Sequence, residues 1–426
     1  MRIGLISYEY PPQHGLGGVG TYTYRLAGAL GRAGYDVVVL AGPSRQADQP
    51  QLNVTVHRID AKYEPPLNSA VLRFLYWRVF APLIDRAHPL VWHWLRWDMA
   101  TGAALLDIHR QTPLDVIEAP EHAANGLIAG RMHRWPMVVR VHGPWDLFFG
   151  INRTSGAAMN RLLARLERRS TQQAQLVTAP SRTMSTFIHS RWNMEQAPDV
   201  VPNFMDVPAN PAPLPAMDGP QRIVCAGRLE RFKGQDTLVK AFARIAPKHP
   251  RAELVLLGPD QWSENAKFSD RVDAWVPDGE VRRRIHMPGR VPLDEVQEAL
   301  TGAAVGVVCS SGFESFSFST LEAMAAARPI IGSRVGAIPE LLENGRCGLL
   351  ASPGNVQQFA DALDRLLSDR ALSQRLGLAA HQRALRQYDT RAALPAFIAS
   401  YQKARQLFYR FKLALPAKPM YKLRCA

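Results

Sequence analysis

Two cations on one short loop, and two carboxylates with the spacing Glu-x7-Glu, are the side chains of this sequence best placed to do chemistry. In "CAGRLERFKGQDTLVKAF", Arg228 follows an apolar strand pattern and Lys233 precedes a helical one, in a loop that also holds Gly227 and Gly234. Arginine grips oxyanions bidentately and lysine acts as a point charge, so the pair suits a diphosphate; taken alone, a solvated basic loop is the stronger reading. In "SSGFESFSFSTLEAMAAARPIIGS", Glu314 ends the loop after the strand pattern "AVGVVC", and Glu322 lies inside a helix. Ser319 and Glu322 match the Ser-x-x-Glu capping box, which gives Glu322 a structural task. No such task explains Glu314. A carboxylate beside a helix N-terminus accepts hydroxyl hydrogen bonds from a sugar or ribose while nearby amides take a phosphate.

A third candidate is the glycine-rich turn in "YPPQHGLGGVGTYTYRLAGAL", where Gly15, Gly17, Gly18 and Gly20 separate the strand pattern "RIGLISYEY" from a helix. Glycines there let the backbone approach a ligand and expose the helix's first amides. No Asp or Glu occurs from Tyr10 to Tyr35, so the positive end of this helix is expected to have no carboxylate of its own in the first turn. "GLGGVG" is neither a dinucleotide G-x-G-x-x-G in register nor a P-loop with its Lys-Ser/Thr. A phosphate site and a tight steric turn both fit.

These loops need elements to hold them. Short β-branched runs alternate with helical patterns: "DVVVLAG", "DVIEAP", "MVVRVHG" and "QLVTAPS", then "QRIVCAG", "AELVLLG", "AVGVVCSS" and "RPIIGS". Such alternation signals parallel sheets covered by helices on both faces. Between the two sets, "VPNFMDVPANPAPLPAMDGP" carries Pro202, Pro208, Pro211, Pro213, Pro215 and Pro220, which preclude continuous helix or central strand. The 426 residues, 47% hydrophobic, suffice for two or three domains with substantial cores. The sequence therefore predicts an α/β chain of two doubly wound, Rossmann-like domains, 1–205 and 221–388, joined by a linker at 206–220. Their binding loops are expected around a common cleft.

Charge and aromatic residues suggest a surface partner. There are 51 Lys and Arg against 37 Asp and Glu, a formal charge of +14, which favours polyanions. Asp389 is the last acidic residue, after which come Arg391, Lys403, Arg405, Arg410, Lys412, Lys418, Lys422 and Arg424. This tail is read as a contact for an anionic membrane surface. An insertion at about 70–100 mixes Trp77, Trp92, Trp94 and Trp97 with Arg73, Arg78, Arg86 and Arg96, and fits either a lipid interface or a domain core. Neither interleaved basic and aromatic RNA-binding residues nor zinc-finger spacing points to nucleic acid. Cys225, Cys309, Cys347 and Cys425 stand singly and are expected as thiols, and no Asp-x-Asp is present. Without an apolar span or signal pattern, the chain is expected in the cytoplasm, peripheral on the membrane's cytoplasmic face.

In order and placement, "GGVGTY", "VRVHGP", "GRLERFKG", "ESFSFSTLEAMA" and "PIIGSRVGAIPELLENGRCGLL" resemble the retaining glycosyltransferases of family 4, group 1, which have the GT-B fold. "DVIEAPEHAANGLIAG" and "VVPNFMDV" also look like segments of that family, and the likeness covers nearly the whole chain. It implies transfer of a hexosyl group from a nucleotide sugar to an acceptor hydroxyl with retained configuration. By position, it implies that Gly17 and Gly18 bring amides to the donor diphosphate and the acceptor region, and that Arg228 and Lys233 neutralise the leaving diphosphate. Glu322 would bind the ribose, Glu314 the transferred sugar near the reacting carbon, and His142 the donor sugar. Ser317, Phe318 and Ser319 would belong to the donor site, and the backbone near Val291 would read the base. No metal or other cofactor is expected. The resemblance also implies that the segment 389–426 forms a crossover helix, from about Thr390 to Leu415, and a basic tail returning to the first domain.

The sequence departs from the family at Ser317, where glycine is common, and at Ser319, where proline is frequent. A side chain at 317 either crowds the phosphate or donates a hydroxyl to it. The segment after "LVLLGP" lacks the usual second glycine, and Asp260 to Arg284 is long and charged, which leaves the donor's identity open. Rival readings are a non-catalytic membrane- or polyanion-binding protein on this scaffold, or a nucleotide-sugar epimerase or phosphorylase.

Overall fold

The computed structural model describes residues 1–12, 17–60, 89–145, 147, 157–262 and 267–414. Its strands are β1 (Arg2–Ser7), β2 (Asp36–Ala41), β3 (Val54–Arg58), β4 (Val116–Pro120), β5 (Met137–Arg140), β6 (Leu176–Ala179), β7 (Asp199–Val200), β8 (Gln221–Ala226), β9 (Ala252–Leu257), β10 (Ile285–Gly289), β11 (Val305–Val308), β12 (Ile330–Ser333) and β13 (Leu349–Ala351). Helices used below are α1 (Gly18–Arg32), α2 (Pro89–Gln111), α3 (Ala157–Thr171), α4 (Arg182–Trp192), α5 (Gln235–Ile245), α6 (Phe318–Ala325), α7 (Ile338–Leu341), α8 (Val356–Ser368) and α9 (Thr390–Ala414).

The strands form two sheets, ordered β3-β2-β1-β4-β5-β6-β7 and β10-β9-β8-β11-β12-β13. The pairings are parallel, with Ile3 opposite Val37 and Val116 in the first sheet and Ile223 opposite Leu254 and Val305 in the second. Parallel strands covered on both faces need apolar side chains on both sides, which is why "VVVLA" and "VGVV" are buried throughout. In each sheet the chain order reverses once, at β1/β4 and at β8/β11. Loops leaving the carboxyl ends of those pairs diverge and leave room for a ligand.

By contacts the chain divides into two units: Met1–Trp145, Gly156–Thr178 and Ala396–Ala426 in one, and Asp146–Ser155 with Ala179–Pro395 in the other. The divisions thus fall after Thr178 and within α9 at Pro395, whereas the proline-rich stretch suggested a linker at 206–220 and the resemblance a returning segment from 389. The reason is local. Ser181 Oγ, the N-cap of α4, donates to Ser315 O at 2.7 Å, and Glu340 of α7 accepts from the amides of Arg182 and Thr183 at 3.0 and 3.1 Å. These bonds count the start of α4 with the second unit.

Helical periodicity builds each core. In α5, Leu238, Phe242 and Ile245 stand at i, i+4 and i+7 and meet Phe359, Leu363 and Leu366 of α8 over the second sheet. Each such side chain contributes about 1.5–3 kcal/mol by leaving water. In the first unit Trp97 is fully buried, its Nε1 donating to Ile59 O at 3.2 Å, and Trp92 is 6% exposed. Those two tryptophans are core, so the lipid-interface reading does not hold for them. Trp77, Arg73, Arg78, Arg86 and the tail beyond Ala414 lie outside the described residues.

One polar cluster lies inside the first unit. Glu118, in the middle of β4, accepts from Tyr22 Oη of α1 at 2.7 Å and from Tyr401 Oη of α9 at 3.0 Å. Arg140 of β5, also buried, stands over the rings of Tyr22 and Phe397 at 4.7 and 5.1 Å. Burial raises the Glu118 pKa, while Arg140 and the two hydroxyls pull it down. The cluster fastens α9 to two strands and α1, with α9 ending at Ala414 close to the expected Leu415. Tyr401→Phe removes one hydroxyl from a buried carboxyl and is expected to cost about 1–2 kcal/mol in urea unfolding. The exposed Tyr409→Phe is expected to cost nothing measurable, and equal midpoints for the two variants would contradict this role.

Candidate active site

The loop after β8 and the loop after β11 meet in the second unit at its reversal point. Gly234 makes the turn before α5 with φ of 70°, and a Cβ there would lie 2.1 Å from Cys309 O, so only glycine fits. Gln235 Nε2 donates to Arg228 O at 2.8 Å, and Phe232 O accepts from the amides of Ser311 and Gly312. Held this way, Lys233 Nζ stands 2.8 Å from Glu314 Oε1, which also accepts from Ser310 Oγ at 2.6 Å. Ala337 N donates to Glu314 O at 2.8 Å and fixes its backbone. The structure therefore brings together Lys233 and Glu314, which read from sequence have separate tasks. Arg228, half exposed, pairs with Glu230 through Nε at 3.0 Å. Burial raises the Glu230 pKa, and Arg228 and Lys233 oppose it.

Helix α6 starts one turn from Glu314, but not with the expected cap. Ser317 is the N-cap, its Oγ accepting from Thr320 N at 3.2 Å and Thr320 Oγ1 at 2.9 Å. Ser319 sits inside the helix and donates to Ala226 O at 2.9 Å, tying α6 to the end of β8. The capping box of Ser319 and Glu322 is therefore incorrect: the helix begins earlier, and Ser317 is occupied as its cap. Glu322 is largely buried on the second turn, Phe318 is half-buried against Phe316, and Val291 is half-buried on the core. A separate open cleft of about 660 Å³ is lined by Arg182, Phe187, Phe313, Glu340 and Arg383, among others, and by none of Arg228, Lys233, Glu314 or Glu322. We place the site on the convergent charges rather than on that cleft. Cys225 and Cys309, far apart in sequence, have Sγ atoms 4.0 Å apart as buried thiols.

In the first unit the glycine turn follows β1, at the reversal point, and His142 follows β5, the strand beyond β4. Gly17 is the N-cap of α1 and Gly18 its first residue. Gly15 lies outside the described residues. A Cβ on Gly17 would lie 1.9 Å from Glu9 Oε2, whereas one on Gly18 would meet nothing within 4 Å. The first turn of α1 carries no acidic residue, as expected; the carboxylate beside it is that of Glu9, which follows β1. His142 lies edge-on to Tyr22, ring centroids 4.8 Å apart. Burial, then Arg140 and His122, hold its pKa well below the ordinary value, so the imidazole is neutral at physiological pH. His122, after β4, is pushed down to about 4 by burial.

Three buried carboxylates escaped the sequence reading. Glu121 accepts from the amides of His142, at 2.8 Å, and Gly143. Glu167 of α3 accepts from Ala123 N at 2.9 Å and Trp145 N at 2.8 Å, and Asp98 of α2 from Gly126 N and Ile128 N at 2.7 and 2.8 Å. For Glu121 the signal in the sequence is acid set among apolar and small residues, as in "EAPEHAANG"; Glu167, in "RLERRS", carries no such signal. Among the described residues, no three His, Cys, Asp or Glu side chains group to hold a metal ion.

Burial raises Asp98 from 3.8 and Glu121 from 4.5, each to about 7, against the amides that favour the ionised form. A carboxyl raised in the fold binds its proton more tightly there than in the unfolded chain, so its contribution to stability falls as pH rises from about 4 to 7 and levels above. Urea unfolding followed by tryptophan fluorescence, at pH 5 and pH 8, is expected to show the stability of wild type relative to Glu121→Gln falling by about 2–3 kcal/mol over this window, because the opposite contributions of the depressed His122 and His142 are common to both proteins and cancel. A difference between wild type and Glu121→Gln that stays constant or grows over this window would contradict the assignment.

Comparison with known proteins agrees with this architecture. Residues 16–208 match the model of Glycosyltransferase Family 4, and residues 220–369 that of Glycosyl transferases group 1. The chain is 26% identical over 422 residues to the glycogen synthase of Mycobacterium tuberculosis (strain ATCC 25618 / H37Rv), covering 95% of each. It is 25% identical to the MMP alpha-(1->4)-mannosyltransferase of Mycolicibacterium hassiacum, covering 95% of this chain and 98% of that one. Among solved structures it is similar to the sucrose-phosphate synthase of Thermosynechococcus elongatus, with TM-score 0.71, 20% identity and coverage of 97% and 100%. It is also similar to Anabaena HepE in complex with UDP and glucose, with TM-score 0.66, 18% identity and the same coverage. The fold is GT-B, and the chain belongs to the family 4, group 1 glycosyltransferases.

Proposed function

We propose that this glycosyltransferase moves a hexose from a UDP- or GDP-sugar to an acceptor hydroxyl, with retained configuration and no metal ion, the acceptor being a lipid-linked or membrane-proximal glycan. The observation that carries the reading is Lys233 at 2.8 Å from Glu314, at the carboxyl ends of two strands where the chain order reverses, with Arg228 on the same loop. A cation beside a carboxylate there suits a substrate with diphosphate and sugar hydroxyls in adjacent positions. The hydrogen bonds from Lys233 and Ser310 both fall on Oε1 of Glu314. Oε2 is then the atom offered to a sugar hydroxyl, while Ser310 keeps the carboxylate bonded when Lys233 turns to phosphate.

In an oxocarbenium-like transition state the negative charge builds on the departing diphosphate, and preorganised cations lower its energy. Lys233 and Arg228 take that task, and Glu322 takes the ribose. The neutral His142 meets the sugar as a hydrogen-bonding partner, and the open approach to Gly18 takes phosphate or acceptor. HepE was solved with UDP and glucose, which makes a uridine donor the first to try. The domains proposed for these roles are acceptor-side in the first unit and donor-side in the second.

We further propose that the enzyme sits on the cytoplasmic face of an anionic membrane. No helix among the described residues is long and apolar enough to cross one. Toward its end α9 exposes Leu407, Tyr409 and Phe411, the last 62% exposed, with Lys403, Arg410 and Lys412 on the same turns. Apolar side chains among cations suit an acidic lipid surface.

Calorimetry of UDP, GDP and ADP, each in EDTA, is expected to find one that binds wild type and binds Arg228→Ala at least tenfold more weakly. Binding of none, or only with added metal, would defeat the reading. Sedimentation with phosphatidylserine vesicles is expected to exceed that with neutral ones, to lose part of the excess when residues after Leu415 are removed, and to lose the rest when Arg410 and Lys412 are also changed to glutamate. Equal sedimentation would defeat the membrane proposal alone.

A further inference from the structure

We infer that Glu121 is a positioning residue for this reaction: with Glu167 it fixes the backbone of the His142–Trp145 loop and so sets where the imidazole of His142 stands. The inference rests on the role of His142 proposed above. Glu121 is fully buried and spends both oxygens on consecutive amides, Oε2 on His142 N at 2.8 Å and Oε1 on Gly143 N. Glu167, equally buried, takes Trp145 N at the other end of the loop. Its second oxygen takes Ala123 N, so the loops after β4 and β5 are braced against each other from two sides.

The brace holds strained backbone. Ala123 and Ala124 have φ of 54° and 57°, a left-handed conformation that costs a residue with a Cβ about 1 kcal/mol or more. Two such alanines in succession, held through a buried acid, are an expensive way to close a turn that glycine would close freely. The expense is consistent with a loop whose geometry matters. His142 has its backbone fixed by Glu121, its ring placed by Tyr22, and its neutral form favoured by burial, Arg140 and His122.

Only a carboxylate can accept from both amides. Glutamine in its place keeps one acceptor and turns an N–H toward the other amide, which loosens the loop with little change of volume. The test uses full-length wild type, Glu121→Gln, His142→Ala and the double variant. Calorimetry measures the affinity of each for UDP, GDP and ADP and for their glucose and mannose conjugates. Free nucleotide is expected to bind all four proteins within twofold. The gain in affinity from the attached sugar should fall at least fivefold in Glu121→Gln, similarly in His142→Ala, and no further in the double variant. A merely structural role would leave the ratio of the two affinities unchanged or add to the effect of His142→Ala. Either result overturns the inference. Wild type that binds no nucleotide, gains nothing from a sugar, or keeps its gain in His142→Ala defeats the underlying reading, and the inference with it. If Glu121→Gln does not fold, Glu167→Gln, which frees the other end of the same loop, goes through the same cycle with the same expected and overturning results.

Discussion

The contact between Lys233 and Glu314 is the interaction on which the functional account depends. It joins the loop after β8 to the loop after β11, and it does so where the order of the second sheet reverses. Removing one member of a partly buried ion pair costs more than the pair itself is worth, because the other charge is left desolvated. Glu314 escapes that penalty through Ser310, 2.6 Å from the same oxygen. The lysine is therefore free to exchange a carboxylate for a diphosphate while the acid stays bonded. The constraint works on the backbone too: Gly234 has no room for a Cβ, and the Glu314 carbonyl is taken by Ala337 N. The two charges are held by rigid ends, and what moves is the lysine's flexible stem.

The first unit solves a similar problem with backbone amides in place of a cation. A loop leaving a parallel strand carries N–H groups that no ladder satisfies, and if buried they need acceptors. Asp98, Glu121 and Glu167 supply them, two amides each. Deep burial raises the pKa of Asp98 and Glu121, so these braces are sensitive to pH in a way the apolar core is not. Glu118 serves packing instead, gathering α1, β5 and α9 around one carboxyl through Tyr22, Arg140 and Tyr401.

Much of this was legible in the sequence because parallel strands write themselves as apolar runs. Each of the eight quoted runs became a strand, and the fold class followed. Lys233 and Glu314 were also visible, since a cation or an acid in a loop between a strand and a helix has few structural reasons to be there. What could not be read is pairing across the chain. Lys233 meets a residue 81 positions away, Cys225 meets Cys309 and Glu9 meets Gly17, and no local pattern encodes any of them. The start of α6 was misread for a related reason. Ser317 and Ser319 both have a capping side chain, and the choice was made by Ala226 O, which draws the hydroxyl of Ser319 away. Trp92 and Trp97 were undecidable between core and lipid because composition is the same in both, and only packing separates them.

The most direct test of the central claim is the release of nucleoside diphosphate from a panel of UDP- and GDP-sugars in EDTA, by wild type and Lys233→Ala, with a membrane glycolipid extract as acceptor. The account predicts turnover of one donor in EDTA, with sugar appearing on the acceptor, and a fall of at least a hundredfold in the variant, on the order of 3 kcal/mol of lost transition-state stabilisation. Turnover that needs added metal, or that survives Lys233→Ala unchanged, would contradict it.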